Sequence, residues 1–592
     1  MTDTIFKMYI LGISCFYHDS SAALLKDGKI VAAAQEERFT RKKHDTSFPE
    51  NAIKYCLESQ KITIDEVDYI GFYEKPFLKF ERFLYQHLQC FPKSYKIFLS
   101  SIPNWTNEKF RIIKIIKKKL KYKKDILFMQ HHMAHAASFL ISPFKEAVIL
   151  TIDGVGEWTT TTYGFGKEND IKLLKEIKFP HSIGLLYSAI TAYLGFSVNN
   201  SEYKVMGLSP YGDMNKKTNQ YYEKLKKVID IKDDGSYRLD MSYFIFHYAN
   251  RMPSKKLCIL LDGPVRQSES EVTQRHKDIA AALQLITEEA IIKILNYSYK
   301  LTNCKNLVIS GGVGLNSVIN GKILRNTSFK NIWIQPDPGD GGTSIGAAVF
   351  IYNTILGNKR IYELDNPYLG PEFSKEEIKK FLEENNIKYY EFKREKEIVR
   401  ETAKLIYNNN VVGWFHGRME WGPRALGARS ILSNPCNPHM QEILNLKVKH
   451  REKFRPFAPV VCVDDASEYF DCDKPIPLPT DFMLMVYPIK KRYHKKIPAV
   501  THVDGSGRLQ TIRRGQNNIY YDLIKEFGKL SGIPILINTS FNIRGEPIVC
   551  TPYDAYKCMM GTGIDYLIMD KFLIKREDNP QDIWDSEESA KD

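Results

Sequence analysis

Apolar runs and polar turns alternate near the start of the chain with the spacing of strands. Tyr9-Ile10-Leu11-Gly12-Ile13 is apolar, and His18-Asp19-Ser20-Ser21 is polar and turn-like. Residues 22–25 and 30–34 then flank Lys26-Asp27-Gly28-Lys29, a hairpin signal. The plan recurs at Ala147, where residues 147–152 are apolar, Asp153-Gly154-Val155-Gly156 turns, and residues 159–165 form a strand rich in Thr and aromatics, closed by a polar turn at 167–170. Two copies of strand, acidic turn and strand predict a duplicated α/β lobe.

Helical periodicity fills the intervals. Residues 132–141 read as a helix and 278–301 as a long amphipathic one. A strand at 307–310 leads through Gly311-Gly312-Val313-Gly314 into a helix at 315–324. Another strand at 331–335 leads through a Pro/Gly/Asp loop into a helix at 343–352. Pro and Gly cluster over 357–372, and the motifs change character beyond it. We therefore expect a domain over 1–356, a linker over 357–372, and a second α/β domain over 373–592 with a frayed acidic tail from Arg576. Paired lobes commonly enclose a nucleotide, as in the actin and sugar-kinase architecture, an analogy at the level of fold alone.

Composition adds boundaries. Lys and Arg exceed Asp and Glu by 84 − 70 = 14, which favours anionic partners without choosing among them. Nine of the sixteen residues in 109–124 are basic, with apolar residues interleaved, a pattern of a solvated helix face or of an anionic contact. The ten cysteines form no CxxC pair, and a chain this large needs no disulfides. The first seven residues lack a signal-peptide pattern, and no apolar run reaches the ~20 residues of a membrane span. A soluble cytoplasmic protein without a membrane partner is expected.

The chemistry concentrates in two places. In His131-His132-Met133-Ala134-His135, residues 131 and 135 are four apart and 132 and 135 three apart. Either spacing puts two imidazoles on one helix face, able to share a metal, and spacing does not separate the choices. A bare pair of this kind is as often core packing. Asp153 ends an apolar strand in a Gly-rich turn, and Asp340 precedes a helix in Pro338-Gly339-Asp340-Gly341-Gly342. Together they suggest an imidazole and carboxylate site suited to Fe, Mn or Zn. The turns at Gly311-Gly312 and Gly339, each before a helix, could let backbone amides approach a phosphate or ribose.

The second constellation is rich in arginine. Residues 417–430 include Arg424 between Gly-Pro and Ala-Leu-Gly, and residues 447–459 include Arg455. Arg508 and Asn538-Thr539-Ser540-Phe541-Asn542 follow, then Arg544. Arginines give bidentate contacts to phosphate, and Ser and Asn add neutral donors, so a small phosphate ester would suit such a pocket.

These segments together resemble the NodU/CmcH-type O-carbamoyltransferase family. The match runs through His18-Asp19-Ser20-Ser21-Ala22-Ala23, Glu36-Glu37-Arg38-Phe39-Thr40-Arg41-Lys42-Lys43-His44, the histidine stretch, Val205-Met206-Gly207-Leu208-Ser209-Pro210-Tyr211-Gly212 and the C-terminal motifs. The resemblance implies an α/β protein with an N-terminal duplicated actin-like ATPase domain (ASKHA, threonylcarbamoyl-transferase-like) and a C-terminal YrdC-like α/β domain. It implies a biosynthetic transferase in which carbamoyl phosphate yields carbamate in the second domain. Carbamate and ATP, with Mg, then give carbamoyl adenylate, and the carbamoyl group passes to a hydroxylated acceptor. Carried across by motif, His131, His135, Asp153 and Asp340 would hold Fe(II) or another divalent metal. His18 would assist acceptor deprotonation, and Lys42 or Lys43 would contact nucleotide phosphates. Gly311, Gly312, Asn316 and Gly339 would bind the nucleotide. Arg424, Arg455, Arg508, Asn538 and Ser540 would bind carbamoyl phosphate. Residues 74–125 and 213–275 would face the acceptor, with no signature of its identity. The sequence does not speak to oligomeric state.

Two other readings compete. A tRNA threonylcarbamoyladenosine-type transferase is compatible with the positive charge, but no RNA-binding module is recognisable, and no nucleic-acid partner is expected. A nucleotide-sensing scaffold without turnover would have lost the metal set or Arg424 and Arg455, and all are present.

Overall fold

The computed structural model describes residues 7–452 and 454–580. The opening residues 1–6 and the tail beyond 580, on which the leader and fraying expectations fall, lie outside the described residues, although Arg576–Asp578 forms a 3-10 turn. The chain divides into two compact units. The first comprises Met1–Ala33 as far as described, Thr46–Asn316 and Lys322–Leu364. The second comprises Ala34–Asp45, Ser317–Gly321 and Asp365–Asp592, likewise as far as described.

The first unit contains the expected duplication. One sheet holds β1 (Tyr9–Ser14), β2 (Ser21–Lys26), β3 (Lys29–Gln35), β4 (Tyr69–Phe72) and β5 (Ile126–Phe128), in the order β3-β2-β1-β4-β5. Beyond it come β6 (Glu146–Ile152), β7 (Thr159–Lys167), β8 (Asp170–Lys178), a small hairpin of β9 (Ile229–Ile231) and β10 (Tyr237–Leu239), β11 (Asn306–Ser310) and β12 (Asn331–Trp333). The second sheet runs β12-β11-β6-β7-β8. In each sheet the first strand pairs antiparallel with the second and parallel with the fourth, and the fourth pairs parallel with the fifth. The order is therefore the same in both. The hairpin between β2 and β3 turns at Asp27 and Gly28, both with positive φ, as a two-residue turn matched to strand twist demands.

Helices pack between and around these sheets. Gln274–Thr302 spans 29 residues and buries Ile279, Leu283, Ile286, Ala290 and Ile294 along one stripe. Thr343–Val349 is buried throughout and lies against β1 and β4. Its close approach needs glycine on both sides. A Cβ on Gly12 of β1 would fall 1.8 Å from the Ser344 carbonyl oxygen, and one on Gly346 would fall 1.9 Å from that of Ala134. The histidine stretch begins with an α-helix, His131–Ala136, and tightens to 3-10 geometry over Ala137–Ile141 rather than continuing as one α-helix. The basic run forms a 3-10 turn and a helix, Ile112–Leu120, that buries Ile112 and Ile116. Lys119 pairs with Glu50 at 2.8 Å and Lys124 with Asp68 at 3.6 Å. No described helix is long and apolar enough to cross a membrane.

The second unit is a nine-stranded mixed sheet of β13 (Tyr390–Glu391), β14 (Val412–Phe415), β15 (Arg429–Ser433), β16 (Ala458–Cys462), β17 (Met485–Pro488), β18 (Ser506–Ile512), β19 (Ile535–Ser540), β20 (Tyr566–Met569) and β21 (Phe572–Lys575). Its order is β13-β21-β20-β14-β15-β19-β16-β18-β17. Helices Glu395–Tyr407 and Asn518–Ser531 bury Ile398, Ile406, Leu523 and Phe527 against Trp414, Leu432, Val460, Ile512 and Leu536. Two residues along from Leu536 and Ile512, on the same face, stand Asn538 and Gln510. The helices thus cover the apolar end of that face and leave its polar end to side chains.

Gly346→Ala is expected to wedge apart the helix Thr343–Val349 and the helix carrying His131 and His135, at a cost of about 1–3 kcal/mol. A thermal midpoint unchanged from the parent protein would refute this account of their packing.

Candidate metal centre and basic cluster

The helix His131–Ala136 begins where the chain leaves β5, and its first amide finds a distant acceptor. The His131 N–H donates to both Glu157 carboxylate oxygens, at 3.0 and 3.1 Å. A carboxylate at this end also suits the helix dipole. Residues 131 and 135 are one turn apart and share a face, and their Nε2 atoms lie 3.2 Å apart. Asp153, just past β6, brings Oδ2 to 3.0 Å from His131 Nε2. Asp340, just before the helix Thr343–Val349, brings Oδ1 to 3.6 Å from His131 Nε2 and 3.5 Å from His135 Nε2. One donor atom from each of the four residues falls within 4.8 Å of all the others, and all four residues are buried.

Second contacts fix which ring atoms turn inward. Ser310 Oγ lies 3.3 Å from the Pro338 carbonyl, to which it donates, and 3.2 Å from His135 Nδ1. With its proton committed, Ser310 accepts from Nδ1–H, and His135 Nε2 is left with a lone pair facing the carboxylates. Neither oxygen of buried Asp340 has a hydrogen-bond partner. Lone pairs and carboxylates gathered in a dry core repel one another unless a cation lies among them. The arrangement fits a divalent metal bound by two imidazoles and two carboxylates without thiolate.

His132 is not part of this set. Its Nδ1 meets Thr151 Oγ1 at 2.7 Å, and Thr151 meets Thr162 at 2.6 Å. Burial and the neighbouring His131 and His135 hold it well below the usual imidazole range, so it stays neutral. The ambiguity between the two spacings is thereby settled in favour of residues 131 and 135 as the pair whose rings converge.

Without a cation the cluster holds protons tightly. Burial opposes protonation of His131, but Asp340, Asp153 and Glu157 outweigh it and raise the group to about 9. Burial likewise opposes protonation of His18, which Asp340, Asp19 and Asp153 raise to about 10. Burial would raise Asp153, but the His131 hydrogen bond and the three histidines hold it well below the usual carboxylate range. His18 bonds Asp19 at 2.9 Å through Nδ1 and puts Nε2 3.6 Å from Asp340 Oδ2. It borders the metal cluster without belonging to it.

The glycine turns serve the same cluster. Gly311 has φ +94°, and a Cβ there would strike the Ile152 carbonyl oxygen at 2.2 Å. Its amide donates to Pro338 O, and the Gly312 amide donates to Asp153 Oδ1 at 3.1 Å. Asn316 exchanges side-chain hydrogen bonds with Gln284, and the Gly339 amide donates to Asp337. These amides are satisfied within the protein and orient Asp153 and the loop bearing Asp340.

In the second unit, Asn538 Nδ2 donates to Ala425 O at 3.1 Å and to Gln510 Oε1 at 2.5 Å, with its own Oδ1 buried and unbonded. These contacts draw the loop that carries Arg424, and strand β18 that carries Arg508, to the polar end of the sheet. Glu420 organises that loop by accepting from the amides of Leu426, Ala428 and Arg429. Arg429 is buried, stacks on Phe415 and bonds the carbonyls of Gly417 and Pro371, which marks it as structural. Ser540 Oγ donates to Asn542 Oδ1 at 2.6 Å. Arg455 lies 3.6 Å from Glu452. Lys43 is half-buried and Lys42 exposed, both within the segment that belongs to this unit.

Sequence reasoning missed Lys449. Its buried ammonium donates to Ser540 O and to both oxygens of Asn542. Burial, with Arg451, Arg455 and Lys43 nearby, holds it well below the usual amine range. Nothing in the sequence separates it from the other cations of residues 447–452. Glu157 was also missed, although its place four residues after Asp153 in the same turn could have drawn attention to it.

Replacing His135 by Ala or Asp340 by Asn is expected to weaken metal binding by more than the ~10–100-fold typical of outer contacts, whereas His132→Asn should retain stoichiometric metal. Elemental analysis after dialysis against Co(II) or Fe(II) decides this, and metal loss from His132→Asn alone would reverse the assignment. The raised values set a pH window too. With unfolded histidine near 6.5, His131 and His18 stabilise the metal-free protein fully below that pH, and this stabilisation is lost as pH rises through about 9 to 10. A bound metal replaces those protons, so melting curves of the loaded protein should lack that decline.

The geometry has counterparts in known proteins. Residues 9–349 match the family model for the carbamoyltransferase N-terminus, and residues 403–576 match that for the carbamoyltransferase C-terminus. The chain is 45% identical to protein sll1178 of Synechocystis sp. over 97% of each chain. It is 35% identical to nodulation protein NolNO of Sinorhizobium fredii, over 96% of this chain and 80% of that one. Among solved structures it is similar to HypF of T. kodakarensis, with 14% identity, a TM-score of 0.31, and 60% of this chain and 49% of that chain covered, a likeness too weak to carry an argument. The two family models and the near full-length relatives agree: the chain belongs to the carbamoyltransferase family.

Proposed function

We propose that this carbamoyltransferase is an ATP-dependent O-carbamoyltransferase. Water cleaves carbamoyl phosphate to carbamate and phosphate, carbamate attacks the α-phosphorus of ATP and displaces pyrophosphate to give carbamoyl adenylate, and an acceptor hydroxyl attacks the carbamoyl carbon and displaces AMP. The observation that supports it most is the convergence of His131, His135, Asp153 and Asp340 in a duplicated α/β unit of this family. A divalent cation held there, Fe(II) by the family resemblance, would act as a Lewis acid toward phosphate oxygens.

The protein's own groups have distinct parts in this reading. Arg424, Arg455 and Arg508 neutralise the phosphate of carbamoyl phosphate, while Asn538 and Ser540 orient the carbamoyl end. Lys449 fixes Ser540 and Asn542 from behind. Lys43, half-buried, is a better candidate for a phosphate contact than exposed Lys42. The turn at Gly311 and Gly312, with Asn316 and Gly339, lines the nucleotide. His18 takes the proton from the acceptor hydroxyl. A cation between Asp340 and Asp153 would cancel the two carboxylates that hold His18 protonated, and so free it to act as a base. Carbamate is unstable in water, which favours handing it on within one chain. The ten free thiols suit a reducing cytoplasm.

Pyrophosphate release is expected only when ATP and carbamoyl phosphate are both present with Fe(II). His135→Ala should abolish it while phosphate release from carbamoyl phosphate persists, and Arg424→Gln should abolish both. No pyrophosphate from the metal-loaded enzyme, with or without hydroxylated acceptors, would defeat the proposal. Loss of both activities in His135→Ala would show that the two chemistries are not separable.

A further inference from the structure

A second group of buried charges stands beside His18. Tyr17 packs on the His18 ring at 4.5 Å and feels the charges of Asp340, Asp153, Arg82 and Glu74. Glu74 is 2% exposed, and one of its oxygens, Oε2, takes the Lys79 ammonium at 2.5 Å. The other, Oε1, is buried and has no hydrogen-bond partner. Lys79 also lies 4.8 Å over the Tyr17 ring. Three residues on, and so on the same face of the helix Pro76–Gln89, Arg82 stacks 4.9 Å over Phe179. Arg82 Nε is buried and unbonded, and no carboxylate among the described residues pairs with its guanidinium.

Buried polar atoms in folded proteins are satisfied in the large majority of cases, so an unbonded carboxylate oxygen and an unbonded guanidinium Nε in one group call for partners. Here two such atoms of opposite character, an acceptor on Glu74 and a donor on Arg82, belong to side chains grouped around Tyr17, which packs on the residue proposed to deprotonate the acceptor. Glu74 and Glu157 stabilise the Arg82 charge from a distance, but the Glu157 oxygens accept the amides of His131 and Lys75 and make no ion pair with the guanidinium. Lys109 adds a third cation to the group. Glu74, Glu157 and Glu108 match Lys79, Arg82 and Lys109 in number, so the selectivity of the group lies in the Arg82 fork and not in a net charge. The rings of Tyr17 and Phe179 supply apolar faces beside it.

We infer that Glu74 and Arg82 form the acceptor subsite, and that the acceptor is a polyhydroxylated molecule bearing a carboxylate or phosphate. An acceptor hydroxyl donates to Glu74 Oε1, the acidic group accepts from the Arg82 fork, and the reacting hydroxyl is left toward His18. This assignment rests on the carbamoyl-transfer reading given above and names the class of its acceptor.

Binding separates it from that reading. The full chain, loaded with Co(II) and with carbamoyl phosphate in excess to fill the second unit, is titrated with glucose, glucuronate and glucose 6-phosphate. The two acids are expected to bind roughly tenfold or more tightly than glucose, as a charge-assisted pair requires. The tighter of the two names the acidic group. R82Q should bring all three to similar affinity. R82K, which keeps the charge and loses the fork, should fall between, and it serves as the reading if R82Q folds poorly. Equal binding of the three sugars by the parent protein, meaning that solvent alone satisfies these atoms, overturns the proposal, as does a gap that survives both variants. If pyrophosphate is never released but the acids are still selected through Arg82, the transfer reading fails while the anion site stands.

Discussion

Two imidazole nitrogens and two carboxylates cannot share a dry space a few ångströms wide without positive charge among them, and much of the first unit is arranged around that constraint. Protons can supply the charge, which is why His131 and His18 are held so far above their usual range. A divalent cation supplies it better, because it satisfies all four donors at once. The surrounding contacts limit each donor to one direction. Ser310 settles which nitrogen of His135 faces inward, Gly312 holds one oxygen of Asp153, and Glu157 anchors the first turn of the histidine helix.

That constraint reaches into the backbone through glycine. Gly12, Gly346 and Gly311 each stand where a methyl group would overlap a carbonyl oxygen of a neighbouring segment. They let β1, the helix before and the helix after the cluster, and the strand-end turns crowd together. The second unit is built differently. There the helices cover the apolar end of one sheet face, Asn538 and Gln510 bond at its polar end, and Lys449 and Glu420 act as buried organisers.

The alternation of apolar runs and acidic turns was enough to read the duplicated lobe, because strand period and hairpin chemistry are local properties. Asp153, Asp340 and the histidines were legible as candidates for the same reason: each sits at a strand or helix end with glycine beside it. Their convergence was not, since it depends on which loops the two sheets bring together. His131 and His132 are indistinguishable by spacing, and only the position of Thr151 separates them. Lys449 stayed hidden among neighbouring lysines and arginines, because burial, not residue type, makes it unusual. The hold that the amides of Gly311 and Gly312 take on Pro338 and Asp153 was not legible either, because tertiary contacts set it.

Because the two sheets of the first unit repeat one strand order, the turn after β1 and the turn after β6 are topologically equivalent. The first copy of that turn carries His18 and Asp19, and the second carries Asp153 and Glu157. Equivalent places in the two sheets thus carry different chemistry, a carboxylate of the buried His/Asp group in one and an imidazole that borders that group in the other.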